Sequence, residues 1–273
     1  MRTAEWIQIV FVCLFALAAW ICPLALRRRV KISALAAVVV TTIMAVRFAG
    51  RLLPPSSLSV IRDWLSVAFI QIPFWQSGQF YVTPNKRLEE RLTTFDRNFF
   101  EMVLGSRASR RWGIGFSLYA EFAYLMCYPI VPLGVAVLYA AGMRSRVDHY
   151  WTIVLLAAYI CYAVSPLVQA LPPRTLVDDK TLGIPPSKVR DLNRWILRHA
   201  SIQVITFPSA HVAASVAASL VLFELVPWMG LVFAWVAVSI AVATLVGGYH
   251  YVADVLSAIL VAFLIFFVTR WLW

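Results

Sequence analysis

The chain has 273 residues, of which 62% are hydrophobic and only 14% charged, and its net charge is +11. Soluble domains run about 45–50% apolar and about 25% charged, so this composition excludes an ordinary soluble fold and implies a polytopic membrane protein. Nucleic acid is excluded as the partner behind the positive charge. No binding motif accompanies it, and the basic residues cluster between apolar runs, where cytoplasmic retention or anionic lipid headgroups account for them.

Eight apolar runs follow one another, near 4–26, 32–50, 58–80, 116–142, 150–171, 208–228, 229–249 and 251–273. A span needs roughly 20 apolar residues, and lipid requires backbone groups to bond internally. The expected fold class is therefore all-α, a transmembrane helical bundle of about eight spans. The first run is too long for a signal-peptide core and lacks a clear cleavage site, so it is expected to be retained. The third carries Arg62 and Asp63 at its start, then Gln71, Pro73, Gln76 and Gln79; a re-entrant segment is its alternative. Pro227 and Gly230 mark a tight turn between the sixth and seventh runs. Residues 1–56 read as N-terminal transmembrane helices, and 57–273 as a catalytic bundle with interfacial segments at 81–113 and 172–206.

In the first of those segments Leu88, Leu92, Phe95, Phe99 and Phe100 recur near helical spacing among Arg87, Arg91 and Arg97, as in an interfacial amphipathic helix. In the second, Val189, Leu192 and Ile196 line one face, while Arg190, Arg194 and Arg198 line another. With eight spans, the loops at 27–31, 81–113 and 172–206 share one side with His250. That side holds most of the 24 lysines and arginines. The positive-inside rule would make it cytoplasmic, but phosphate binding competes as the cause of the arginines in 172–206. A re-entrant third segment would flip the active side, so the membrane face stays open. Cys13, Cys22, Cys127 and Cys161 lie in apolar runs without metal-ligand spacing and read as small buried hydrophobes.

Three motifs carry chemistry. Pro172-Pro173-Arg174 ends the fifth run. The prolines keep the arginine out of the helix, and its planar guanidinium suits bidentate phosphate contact; a snorkelling boundary arginine is the alternative. Pro208-Ser209-Ala210-His211 opens the sixth run. Pro208 fits a first helical turn with Thr206 as N-cap. The free amides there favour an anion, Ser209 adds a hydroxyl, and His211 can protonate a leaving oxygen. An ordinary interface histidine is the alternative. His250-Tyr251-Val252-Ala253-Asp254 joins the last two runs. Residues four apart share a helix face, so the carboxylate can orient the imidazole as a nucleophile or base. A pair that only anchors the helix end is the alternative. Gly247 and Gly248 allow close approach of a substrate or a helix. By parity Arg174, His211 and His250 fall at one membrane face.

Together these motifs resemble the type 2 phosphatidic acid phosphatase superfamily, whose signature runs KxxxxxxRP, PSGH and SRxxxxxHxxxD. Here Ala210 replaces the glycine of the second motif, and Ala243 and Thr244 replace the Ser-Arg of the third. Leu167 stands at the lysine position of the first, and Thr175 at its last proline. Pro-Pro-Arg, Phe-Pro-Ser-x-His and His-Tyr-x-x-Asp resemble the branch that contains inositol phosphorylceramide synthase and bacterial relatives. Arg62-Asp63-Trp64-Leu65 is similar to that branch too.

The resemblance implies a six-helix phosphatase-like core and a catalytic cycle through phosphohistidine. His250 attacks phosphorus, Asp254 orients it, and His211 protonates the departing oxygen. Arg174, Ser209 and backbone amides near Ala210 hold the phosphate oxygens. It implies no metal and no other cofactor. Arg190, Arg194 and Arg198, with Lys180 and Lys188 behind them, are expected at the substrate headgroup in place of the missing cations; contact with bulk anionic lipid is the alternative. Glu121 is expected as a boundary carboxylate or an acceptor-headgroup ligand. The implied activity is a metal-independent lipid phosphate phosphatase, with a lipid phosphotransferase and a non-catalytic lipid transporter or binding protein as alternatives. The implied partners are a lipid phosphate and membrane lipids, in a bacterial plasma membrane.

Overall fold

The computed structural model describes residues 1–52, 54–104, 113–179, 182–202 and 204–272. Lys180, named above, lies outside the described residues. Every regular element among those described is helical. Helices α1 (Thr3–Ile21) and α2 (Leu26–Ala49) form a hairpin. Next come α3 (Pro55–Phe69), α4 (Ile72–Ser77) and the amphipathic α5 (Lys86–Leu104). Helices α6 (Ile114–Leu125) and α7 (Ile130–Ala140) meet at a bend of 68°. Pro129 sits at that bend, as kinks require an identifiable cause. Helix α8 (Val147–Val164), the four-residue α9 (Pro173–Leu176) and α10 (Lys188–Ala200) lead to α11 (Ala210–Leu225), α12 (Pro227–Val246) and α13 (Val252–Leu272).

Among the described residues, five helical segments are long and apolar enough to cross a membrane: α1, α2, α8 with its flanking turns, α12 and α13. The bent α6–α7 pair makes a sixth if it is one span. Helix α11 has 16 residues, about 24 Å at 1.5 Å each, shorter than the roughly 30 Å hydrocarbon layer. It is nonetheless central. Its small residues Ala213, Ala214, Ala217 and Ala218 are buried, and they admit close neighbours. It packs against α8, α12 and α13. At its turn into α12, a Cβ on Gly230 would lie 2.2 Å from the Phe223 backbone, which cannot move aside. One core holds Phe15 of α1, Tyr150 and Trp151 of α8, and Ala262 of α13, so the N-terminal hairpin packs on the C-terminal helices.

The third apolar run is broken rather than continuous. Pro73 has no N–H to extend α3, so the chain restarts as α4 and ends in a 3₁₀ turn at Gly78–Phe80. Its two ends meet opposite ends of the bundle. Arg62 in α3 pairs with Glu5 at the start of α1. Arg28, beyond the far end of α1, donates to the Gln79 and Tyr81 carbonyls. The α3–α4 segment therefore has one end beside the start of α1 and the other beside the α1–α2 turn.

Candidate active site

The site is built where the α12–α13 joint meets α9 and the start of α11. Both Tyr249 N and His250 N donate to the Thr244 carbonyl, at 2.8 and 3.1 Å, which pins the turn carrying His250. Gly248 has φ +65°, and a Cβ there would stand 2.9 Å from Leu182 and 3.3 Å from Arg174 N. The missing side chain lets the Arg174 backbone approach, and Arg174 N donates to Gly248 O at 2.8 Å. The glycine pair does admit a close neighbour, and that neighbour is the chain segment bearing the arginine.

His250 Nδ1 lies 3.1 Å from Asp254 Oδ2, which also accepts from Tyr251 N at 3.0 Å. The pair is not within one helix, as expected, but straddles the start of α13, because Gly248 and Tyr249 turn the backbone before Val252. Asp254 is 0% exposed, and its Oδ1 has no hydrogen-bond partner among the described residues. With Nδ1 holding the proton, Nε2 carries the free lone pair. Burial, and next the charge of Arg174, push the His250 imidazole down to about 3, which keeps it neutral.

Ser209, not Thr206, is the N-cap of α11, and Pro208 precedes the helix rather than opening it. Ser209 has an extended backbone, and its N–H is engaged by the Asp254 carbonyl at 3.2 Å. Its hydroxyl is buried without a hydrogen-bond partner among the described residues. His211, in the first turn, packs edge-on against Tyr124 and Tyr128, at 6.3 and 5.9 Å between ring centres. Arg174 lies inside one-turn helix α9 rather than outside a helix. Pro173 takes the first position, where no N–H is needed. Its Nη1 donates to Tyr249 O at 3.4 Å, and its guanidinium sits 5.7 Å from the Tyr249 ring centre. No carboxylate pairs with it among the described residues, and burial lowers its pKa. Arg174, His211 and His250 are close enough to act on one another electrostatically.

The expected arginine stripe divides. Arg190 is 1% exposed and meets Glu121 and Asp179, each at 2.9 Å, and Gly247 O at 3.0 Å. It is turned into the protein and not toward a headgroup. Burial works against its charge, but Tyr249, Asp179 and Glu121 outweigh that and raise its pKa. Arg194 shares Asp179 at 2.6 Å. Arg194 and Arg198 line a chamber of about 260 Å³ with Arg174, Thr175 and Leu197. Leu167, at the missing lysine, is 81% exposed, while Ala243 and Thr244, at the missing Ser-Arg, are buried.

Glu121 is neither a boundary carboxylate nor open to a headgroup. It is buried, accepting from Arg190, from Asn193 at 2.6 Å and from the Tyr249 hydroxyl at 2.7 Å. The Tyr249 ring stacks on Tyr124 at 3.7 Å and carries Arg190 on its other face, 4.9 Å away. This clamp fixes the residue just before His250. A second support comes from α5. Glu89 Oε1 accepts from Leu171 N at 2.8 Å, and Asp96 Oδ1 from Val252 N at 2.9 Å. Those bonds hold the segments that carry Arg174 and His250. Glu89 and Asp96 flank the buried Leu92 on one face of α5. Carboxylates within an apolar stripe were the signal that composition alone did not expose.

The chain belongs to the PAP2 superfamily, whose family model matches residues 107–268, more than half of its length. A search among curated proteins finds no match, and neither does a search among solved structures.

Proposed function

We propose that the protein is an integral-membrane lipid phosphate phosphatase that works through phosphohistidine without a metal. The observation that carries the reading is the buried His250–Asp254 pair set against an arginine without a carboxylate partner and a buried, unpartnered Ser209 hydroxyl. A neutral imidazole, together with a guanidinium that has no carboxylate partner and a hydroxyl that has no hydrogen-bond partner among the described residues, suits a tetrahedral anion. Superfamily membership supports a phosphatase- or phosphotransferase-type activity.

In this reading the His250 Nε2 lone pair attacks phosphorus. The P–N bond forms as the ester P–O bond breaks, and the leaving oxygen takes its proton from the His211 imidazolium. His211, now neutral, accepts a proton from water as that oxygen attacks phosphorus. The P–N bond breaks, returning His250 to its starting state. Asp254 holds the imidazole orientation throughout, while Arg174, Ser209 and amides near Ala210 stabilise the equatorial oxygens. The motif pattern supports the branch resembling inositol phosphorylceramide synthase, in a bacterial plasma membrane. We place the site in a bundle of eight crossings, counting α3–α4 and α11, with a six-helix core and 1–56 as an N-terminal addition.

The arginine chamber beside Arg174 favours a second reading, transfer of a phospho-headgroup to an acceptor alcohol, because it offers room for another polar group. The test is phosphate release from a panel of lipid phosphates by detergent-purified protein, with EDTA present and His250→Ala as control. Release that survives EDTA and vanishes in the variant is the expected result. Release only on adding an acceptor alcohol selects the transferase. Lipid binding that persists in His250→Ala, with no turnover of any ester, selects a non-catalytic lipid protein.

A further inference from the structure

We propose that α10 divides the substrate between two compartments, and that the apolar one receives the chain of the departing alcohol. The inference rests on the phosphoesterase reading above. On one side of α10 lies the arginine chamber. On the other lies a cavity of about 210 Å³, walled by Phe74 and Trp75 of α4, Tyr128 at the α6–α7 bend, and Ile196 and Ala200 of α10. Leu197 lines both and forms the ridge between them. The helix repeat produces the partition. Arg194 and Arg198 are four apart on one edge, Ile196 and Ala200 four apart on the other.

His211 stands in the wall of the apolar cavity. The oxygen that takes the His211 proton is, by the chemistry, the leaving oxygen. The group attached to that oxygen therefore occupies the cavity beside His211. Its lining is apolar apart from Gln71, Ser201 and His211 itself, so it accepts hydrocarbon and disfavours a charged or sugar-like alcohol. The guanidiniums opposite would be desolvated without compensation by the same hydrocarbon, so the two ends of the substrate cannot exchange places. At about 210 Å³ the cavity is smaller than pockets that enclose a whole ligand, about 300–1,000 Å³. It takes the part of the chain nearest phosphorus, and the remainder continues into the bilayer. A hydrogen bond from Trp75 Nε1 to Ala200 O, at 3.0 Å, closes the seam between α4 and α10 along this wall.

The test uses the full-length protein in detergent with p-nitrophenyl phosphate and a series of n-alkyl phosphates of increasing chain length. Each methylene buried in the cavity is expected to raise kcat/KM by about fourfold until the cavity is filled, after which the rise stops. Ala200→Phe, which fills the cavity, is expected to lower the long-chain to short-chain ratio by at least about tenfold. Ile196→Trp, one turn earlier on the same edge, serves if Ala200→Phe does not fold, as judged by its thermal unfolding midpoint in detergent. Chain-length dependence that is flat in the wild type, or identical in the wild type and both variants, overturns the partition while leaving the phosphoesterase intact. Absence of turnover with every ester, soluble or lipid, instead overturns the phosphoesterase reading on which it rests.

Discussion

The two ends of the bundle are both rich in charge, yet they are wired differently. At the end where the chain begins, Glu5 takes both donors of Arg62, at 2.6 and 2.7 Å. Asp63 accepts from Arg2 at 2.5 Å, Arg144 at 2.7 Å and the Tyr139 hydroxyl at 2.5 Å. Asp148 caps the start of α1 through the amides of Thr3 and Ala4, at 3.1 Å each. Each carboxylate there is answered by donors from other elements, which is what a clasp between α1, α3, α7 and α8 needs. At the opposite end, among the described residues, Arg174 has no carboxylate partner, and the Ser209 hydroxyl and Asp254 Oδ1 are buried without hydrogen-bond partners. Buried polar groups are normally satisfied, and the unpartnered groups beside the neutral histidine are those that the proposed phosphate would engage. Charge alone does not separate the two ends; at the clasp the carboxylates are spent on arginines, whereas Arg174 has no carboxylate among the described residues.

The comparison breaks most decisively at His250. His250→Ala is expected to abolish both turnover and acid-labile, base-stable phosphate incorporation into the protein, with the thermal unfolding midpoint near that of wild type. Next is Arg174. Arg174→Ala removes a preorganised cation at the developing charge and is expected to cost on the order of 10²–10³ in kcat/KM. Arg174→Lys should recover only part of it, since a point charge does not reproduce the planar fork. An Arg174→Ala enzyme with wild-type kinetics would remove the phosphate clamp from the scheme.

At the clasp the opposite outcome is expected. Asp63→Ala leaves Arg2 and Arg144 without their acceptor. The arginine side chains are 23% and 37% exposed, so solvent screens both pairs and the loss is well below that of a fully buried pair. A lower unfolding midpoint in detergent, with kcat per folded molecule unchanged, is the predicted signature. A large kcat loss at unchanged stability would instead make the far end part of the catalytic apparatus.

The wiring explains what was legible in the chain. The spans of α1, α2, α8, α12 and α13 follow from hydropathy, because each apolar run suffices by itself. The His250–Asp254 contact was legible because both partners lie within five residues. Arg190, Arg194 and Arg198 were not, because spacing by four hides a drift. At 3.6 residues per turn each step advances about 40°, so Arg190 and Arg198 point about 80° apart. That is enough to bury one against Glu121 and leave the other at the chamber. Glu121 meets Asn193 and Tyr249, 72 and 128 residues away, and no local pattern announces such partners. Arg62-Asp63, read as a family-like segment, lies at the clasp, remote in the bundle from His250.

The smallest effect expected is also the one that most sharpens the distinction between holding and reacting. Asp96 belongs to α5. It accepts from Val252 N, two residues beyond His250, and so acts as a positioning residue from α5. Asp96→Asn keeps a side-chain oxygen that can accept the same bond, and its kcat is expected within about twofold of wild type. Asp96→Leu removes the acceptor and leaves the amide at the entry of α13 unsatisfied, a loss of about 1–3 kcal/mol. Part of that loss falls on stability and part on the aim of the imidazole, where small misplacement costs rate. We therefore expect kcat to fall about tenfold with KM little changed, measured on a soluble ester so that lipid access does not enter. If Asn and Leu variants lose kcat equally, the charge of Asp96 and not its hydrogen bond is what the site uses. If neither loses any, α5 supports the fold alone and the nucleophile is aimed by Asp254 and the Tyr249 clamp without it.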